Sequence, residues 1–268
     1  MVPTYYTIAN DIGKLLEGCD AKQVGALWSS VAIGNNEVFF EKNKSLQVSS
    51  ASLIKVPIMC AILDLAAKGD FSLKDMVEAK VGDILDDSYN YDNGPRQTAI
   101  AELLFWMVAN SDNTATNILV DYAGFNTLNS YFEKIGLEQT SLGRKMLDFD
   151  KISQGINNHT SLQDMHKVFC GIYNKSILDR ANCEFALSVL SRQSDRMKIR
   201  RYLWESGLGY WHKSGGLDYL SHDAGIFVAS NKPFFLGFVF TGTHDKEGEP
   251  KLIGTASRLV FDFYLHLN

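Results

Sequence analysis

Residues 49–58 read SSASLIKVPI. A serine at 52 stands three residues ahead of a lysine at 55, at the mouth of an apolar run. On a helix, side chains three and four apart are neighbours. A helix starting here would stack Ser52 on Lys55. Ser52 is then either a nucleophile with its base or the cap of an ordinary helix. The pattern is too short to choose between these, and the residues around it must decide.

Outward from this stretch the periodicity is helical. Residues 53–67 form one helix, stopped by Gly69. Residues 100–109, 114–122 and 125–135 follow, with Gly124 and Gly136 as stops. Residues 162–173 and 181–190 are further helices. Before it, residues 7–17 have apolar Ile8, Ile12, Leu15 and Leu16 at helical spacing. Two extended runs, 24–33 and 37–41, meet at Gly34-Asn35-Asn36, a hairpin signal. Near the end, residues 209–214, 224–229 and 234–241 are rich in aromatic and β-branched residues. Ser230-Asn231-Lys232-Pro233 reads as a hairpin loop, and residues 252–267 as a closing helix. The expected fold is α+β. An antiparallel sheet made from both chain ends (1–48 and 191–268), with flanking helices, carries an inserted all-helical lobe (49–190). The cleft between them is the natural place for a site.

The chain has 268 residues, of which 46% are hydrophobic and 21% charged, enough to bury a real core. A net charge of −5 argues against nucleic acid or an anionic membrane surface as partner. No apolar run reaches the length of a membrane span. No leader pattern opens the chain, so it is cytoplasmic as written or exported with a signal already trimmed. Cys19, Cys60, Cys170 and Cys183 form no metal spacing and read as free apolar residues. With scattered histidines and no H-E-x-x-H, neither metal nor cofactor is expected. A small-molecule substrate and a monomeric chain are.

Two more short motifs bear on Ser52. Ser111-Asp112-Asn113 lies between two helices, and Lys213-Ser214-Gly215 lies on the first late strand. Ser52 and Ser111 are 59 positions apart, and Ser111 and Lys213 are 102 apart. Each motif alone has a bland reading as a cap cluster or a solvated strand charge. Jointly, in this order, they resemble the S-x-x-K, S-D-N and K-T-G set of class A β-lactamases and penicillin-binding proteins. Serine replaces threonine in the third motif and keeps the hydroxyl. The resemblance covers essentially the whole chain.

The chemistry needs these residue types. A serine hydroxyl is a weak nucleophile until a base takes its proton. Lysine can be that base only with a depressed pKa, which burial and nearby positive charge produce. The resemblance implies Ser52 as nucleophile, Lys55 as base and Ser111 as proton relay to the leaving nitrogen. It implies that Lys213 and Ser214 hold a substrate carboxylate, and that Asn113 orients Lys55 and a substrate amide. Backbone N–H groups of Ser52 and Gly216, beside Gly215, would form the oxyanion hole. Tyr89 and Tyr91 stand where the family has a cleft-edge tyrosine.

The match fails in two places. The family carries a deacylating glutamate in an E-x-x-L-N loop. Here the loop is GRKMLDFDKISQGINNHTSLQDM, with Arg144 at its opening and Thr160-Ser161-Leu162-Gln163-Asp164-Met165 at its exit. The glutamate position falls on Met146, and the asparagine on Asp150. No glutamate occurs between Gly143 and Arg180. Asp148 or Asp150 is a possible substitute base, or else pairs with Arg144 to close the loop. The family's aspartate at the loop exit falls on Asn158. The arginine expected before Gly225 is also missing, leaving Lys213, Ser214 and His222 to hold a carboxylate.

The expected function is a serine hydrolase of the class A β-lactamase type, acylated at Ser52. The alternatives are a D,D-peptidase- or esterase-like acyl hydrolase with slow deacylation, and a non-enzymatic β-lactam sensor.

Overall fold

The computed structural model describes residues 4–31, 36–242 and 245–267. Elements are numbered in chain order. Helix α1 (Tyr5–Glu17) leads into strands β1 (Gln23–Ser30) and β2 (Val38–Lys42). A short strand β3 (Val48–Ser49) and a 3-10 turn (Ala51–Ile54) precede α2 (Lys55–Lys68). A small ladder of β4 (Met76–Glu78) and β5 (Gln97–Ala99) opens onto α3 (Ile100–Ala109), α4 (Asn113–Ala123) and α5 (Phe125–Lys134). Then come α6 (Phe149–Ser153), β6 (His159–Thr160), α7 (Leu162–Tyr173) and α8 (Arg180–Leu190). Strands β7 (Gly209–Leu217), β8 (Leu220–Ala229) and β9 (Lys232–Thr241) and helix α9 (Gly248–Leu265) close the chain.

The five-stranded sheet runs β2-β1-β9-β8-β7, with every pairing antiparallel. Both chain ends therefore contribute to one sheet, as the sequence suggested. Side chains alternate across a strand with period two. Trp28, Phe227, Phe234, Phe238 and Phe240 pack with α1 and α9 on one face. Leu27, Ala224, Ile226, Phe235 and Val239 face the helical part of the chain on the other. Helix α2 runs through that second cluster. Nine of its residues, from Lys55 to Leu63, are buried, so it is apolar nearly all round, as a central helix must be. Pro57 is tolerated in its first turn, where its missing N–H has no intrahelical acceptor.

The expected elements are present, with shifted ends. The expected helix at 53–67 begins as a 3-10 turn and becomes α-helical only at Lys55. Gly69 ends it in the left-handed region, φ 85°. The expected turn at Gly34-Asn35-Asn36 and the last residues of the run 24–33 lie largely outside the described residues. Two late strands are longer than expected, because β7 runs through the glycines to Leu217 and β8 starts at Leu220. The loop at 230–233 is tighter than expected. Ser230 and Asn231 turn with φ 49° and 59°, while Lys232 and Pro233 already belong to β9.

Candidate active site

Ser52 sits in the 3-10 turn, half-buried, one turn ahead of Lys55 at the start of α2. Lys55 is fully buried. Its Nζ donates to Ser111 O at 2.6 Å, Asn113 Oδ1 at 2.7 Å and Ser111 Oγ at 3.2 Å. From the other side, Lys213 Nζ donates to Ser111 Oγ at 3.1 Å and to Ser214 O at 2.7 Å. Ser111 thus bridges two buried lysines from three separate parts of the chain.

Strand alternation explains how Lys213 arrives. It pairs with Ala224 and shares that residue's face, toward the helical part of the chain. Gly215 lies two residues on, on the same face. A Cβ there would stand 3.1 Å from both Ser52 N and Ala51 Cβ. The absent side chain is what lets edge strand β7 lie against the Ser52 backbone. Ala51, Ser111 and Leu147 all hold positive φ, at 42°, 59° and 58°. Each costs of order 1–3 kcal/mol and requires its surroundings to hold it.

The two lysines are electrostatically unusual. Burial is the main force lowering Lys55 well below the ordinary lysine range, and Lys213 adds to it, against Asp112 and Asp87. Lys213 is pushed down to about 7, first by burial and then by Lys198. Lys198 is a residue the sequence reading missed. Its Nζ lies 4.0 Å from where a Cβ on Gly216 would stand, and 2.8 Å from Asp195 Oδ2. Burial works to raise Asp195, yet Lys198, the Met197 N–H and the Ser214 hydroxyl hold it far below the usual carboxylate range. Lys198 thus brings a second cation to the third motif, on the loop before β7 and not on β8.

His222 does not take that part. It is fully buried, its Nε2 is 2.8 Å from Ser49 O, and Phe240 N–H points at its Nδ1. Burial drives its pKa down to about 4, so it is a neutral tie between β8 and β3. The expectation that it helps hold a carboxylate is corrected on that ground.

The cleft beside Ser52 is walled by Asp87, Asn113, Arg144, Met146, Leu147, Phe149, Ile152, Gly216 and Leu217. Met146 is held there by Asn117, whose Oδ1 accepts from Met146 N at 2.7 Å and whose Nδ2 donates to Met146 O at 3.2 Å. Asp148 and Asp150 are not on this wall. Asp148 caps α6 by accepting from Lys151 N, and borders a neighbouring groove with Gly82, Leu85 and Asp121. Asp150 is exposed in the first turn of α6. Neither makes a hydrogen bond or close ion pair with Arg144, and Asp148 reaches it only by its charge at a distance, which corrects the expected loop closure. The Arg144 guanidinium donates to Asn157 Oδ1 and Lys145 O. Asn158 Oδ1 accepts from Gly143 N and Arg144 N, and Asn158 O accepts from Ser50 N. Amides, not an ion pair, tie the two ends of the loop to the turn that carries Ser52.

Of the two tyrosines, Tyr91 is buried, edge-on to Trp106 at 5.5 Å. It is a packing residue. Tyr89 is exposed on the same turn.

Comparison with known proteins finds relatives of the same fold. A "Beta-lactamase" of Bacteroides uniformis is 20% identical over 273 residues, covering 95% of this chain and 90% of that protein. The solved TLA-3 extended-spectrum beta-lactamase superposes with a TM-score of 0.87 at 21% identity, over 98% of this chain and 100% of that one. PBP-A superposes with a TM-score of 0.84 at 23% identity, over 95% and 94% of the two chains. No helix among the described residues is long and apolar enough to cross a membrane. With the model of the beta-lactamase enzyme family matching residues 7–264, the chain belongs to that family.

Proposed function

We propose that the protein is a serine hydrolase acylated at Ser52 by β-lactams or related activated acyl compounds, and that its acyl-enzyme is slow to hydrolyse. The observation that carries this reading is the buried line Lys55–Ser111–Lys213 beside Ser52. A depressed pKa leaves Lys55 able to accept the Ser52 proton as Oγ attacks the carbonyl carbon. The oxyanion would be held by the N–H groups of Ser52 and Gly216. Collapse breaks the C–N bond, and the proton passes from Lys55 through Ser111 Oγ to the leaving nitrogen. Lys213, with Lys198 close by, offers the positive charge for a substrate carboxylate.

Water must then cleave the Ser52 ester. At the position where the family has its glutamate, this chain presents Met146, flanked by Leu147, Phe149 and Ile152. General-base catalysis contributes roughly 10²–10⁴-fold, and the cleft wall beside Ser52 offers no carboxylate in that place. The same feature favours the second reading, a penicillin-binding or D,D-peptidase-like enzyme. A variant of PBP-A has been solved as an acyl-enzyme complex with penicillin G. Stopped-flow mixing with a chromogenic β-lactam tests the proposal. It expects a burst of one equivalent per enzyme followed by slow turnover. Rapid linear turnover with no burst contradicts slow deacylation, and no reaction contradicts acylation.

A further inference from the structure

The segment 85–91 is fastened to the Ser111-Asp112-Asn113 turn at successive points. Leu85 N donates to Thr114 Oγ1 at 2.9 Å. Ser88 Oγ and Asn90 Nδ2 both donate to Asp112 Oδ2, at 2.5 and 2.8 Å. Between these anchors, Asp87 Oδ2 accepts from Asn113 Nδ2 at 2.6 Å. Asn113 Oδ1, on the other end of the same amide, accepts from Lys55 Nζ. Asp87 is exposed at the cleft wall, yet its neighbours on both sides hold its backbone in place.

An amide can flip, exchanging its oxygen and nitrogen with little change in shape. Flipped, Asn113 would turn a donor toward Lys55, where it would occupy the lone pair that a neutral base needs for the Ser52 proton. A carboxylate has only acceptors, so Asp87 selects the orientation in which Nδ2 faces outward and Oδ1 faces Lys55. One Nδ2 hydrogen goes to Asp87 and the second stays free for an acyl carbonyl. We propose that Asp87 is a positioning residue for acylation, which locks the Asn113 amide and through it aims Lys55 Nζ. The proposal rests on the acylation reading above. Its electrostatic consequence follows from the groups around Lys55. Lys213 opposes a charge on Lys55, while Asp112 and Asp87 favour one. Removing the Asp87 charge makes Lys55 easier to deprotonate.

Two substitutions grade the lock. Asp87→Asn loses the charge and, since its own amide can turn, offers Asn113 Nδ2 an acceptor in only one of its two orientations. Asp87→Ala loses the charge and every acceptor. Acylation by a β-lactam is followed from pH 5 to 10, and the Lys55 side chain is titrated by 13C NMR without substrate. The rate plateau should fall only part-way in Asp87→Asn and roughly tenfold or more in Asp87→Ala, as small misplacements of a reacting group do. The onset of acylation and the Lys55 midpoint should move to lower pH in both. A full plateau in Asp87→Ala, an equal loss in both variants, or an unmoved Lys55 midpoint would overturn the proposal. If the wild type is never acylated, the acylation reading fails, and the proposed role for Asp87 in acylation falls with it. The Lys55 midpoint then still reports the pull of the Asp87 charge on Lys55 by itself.

Discussion

Lys55 and Lys213 reach the same hydroxyl, and two ammonium groups that close in a buried site repel. The arrangement is consistent with one neutral lysine, the base, and one charged lysine, the anion holder. The pH dependence follows. Acylation should rise with pH as Lys55, depressed by burial and by Lys213, gives up its proton. It should fall again as Lys213 loses its charge near pH 7. The apparent values belong to the pair, since the two groups interact. Lys213→Arg should move the falling limb to higher pH, because arginine stays charged. Lys198→Ala should also move it upward, since Lys198 is one of the forces lowering Lys213. A falling limb that ignores both changes would remove Lys213 from substrate binding. Ser52, Lys55, Ser111 and Lys213 were legible in sequence because short motifs on a helix, a turn and a strand carry them. Lys198 and Asp87 were not. They lie in irregular segments with no period to read, and only tertiary packing brings Asp87 to the cleft and Lys198 to the third motif.

On the proposed reading, the loop of residues 143–158 sets how long the ester lasts. Asn117 clamps the Met146 backbone, but the side chain is buried in the main hydrophobic cluster, so a glutamate here must turn toward the cleft to act. Met146→Glu should speed deacylation by roughly 10²-fold or more, read as loss of acyl adduct over time. Asp148→Asn should leave the deacylation rate unchanged and keep the α6 cap, since asparagine caps nearly as well. Asp148→Ala should lower stability by about 1 kcal/mol, the ordinary cost of a lost N-cap, measured by urea unfolding. Selective slowing of deacylation in Asp148→Asn would instead make that aspartate the base. The element boundaries were legible to the degree that each element is long. Residues 162–173 match α7 in full. Helix α6 was missed because five residues are too few to show a helical period. Strand β7 was cut short because Gly215 and Gly216 look like a stop, when Gly215 is what allows close packing on Ser52.

Across the whole molecule, the inner face of the sheet packs on the helical part, and at its edge β7 lies on the turn that bears Ser52. Gly215→Ala tests that contact. The added methyl group would meet Ser52 N and Ala51 Cβ at 3.1 Å, so strand or turn must shift by a few tenths of an ångström. Acylation should slow at least about tenfold, while unfolding shifts by roughly 1–3 kcal/mol. An unchanged acylation rate would mean that the contact does not set the geometry of attack. The α+β architecture was readable from the run of strands, helices and strands along the chain. Which strand forms the edge against Ser52 was not, because strand order is set by long-range pairing that no local pattern encodes. The central claim is covalent capture at Ser52 with slow release. Intact-protein mass spectrometry of the wild type and of Ser52→Ala, sampled over time after one addition of a β-lactam, tests it most directly. The account predicts a single adduct on the wild type that outlasts the mixing time by minutes or more, and none on Ser52→Ala. An adduct on Ser52→Ala, or none on the wild type with the antibiotic left intact, would contradict it.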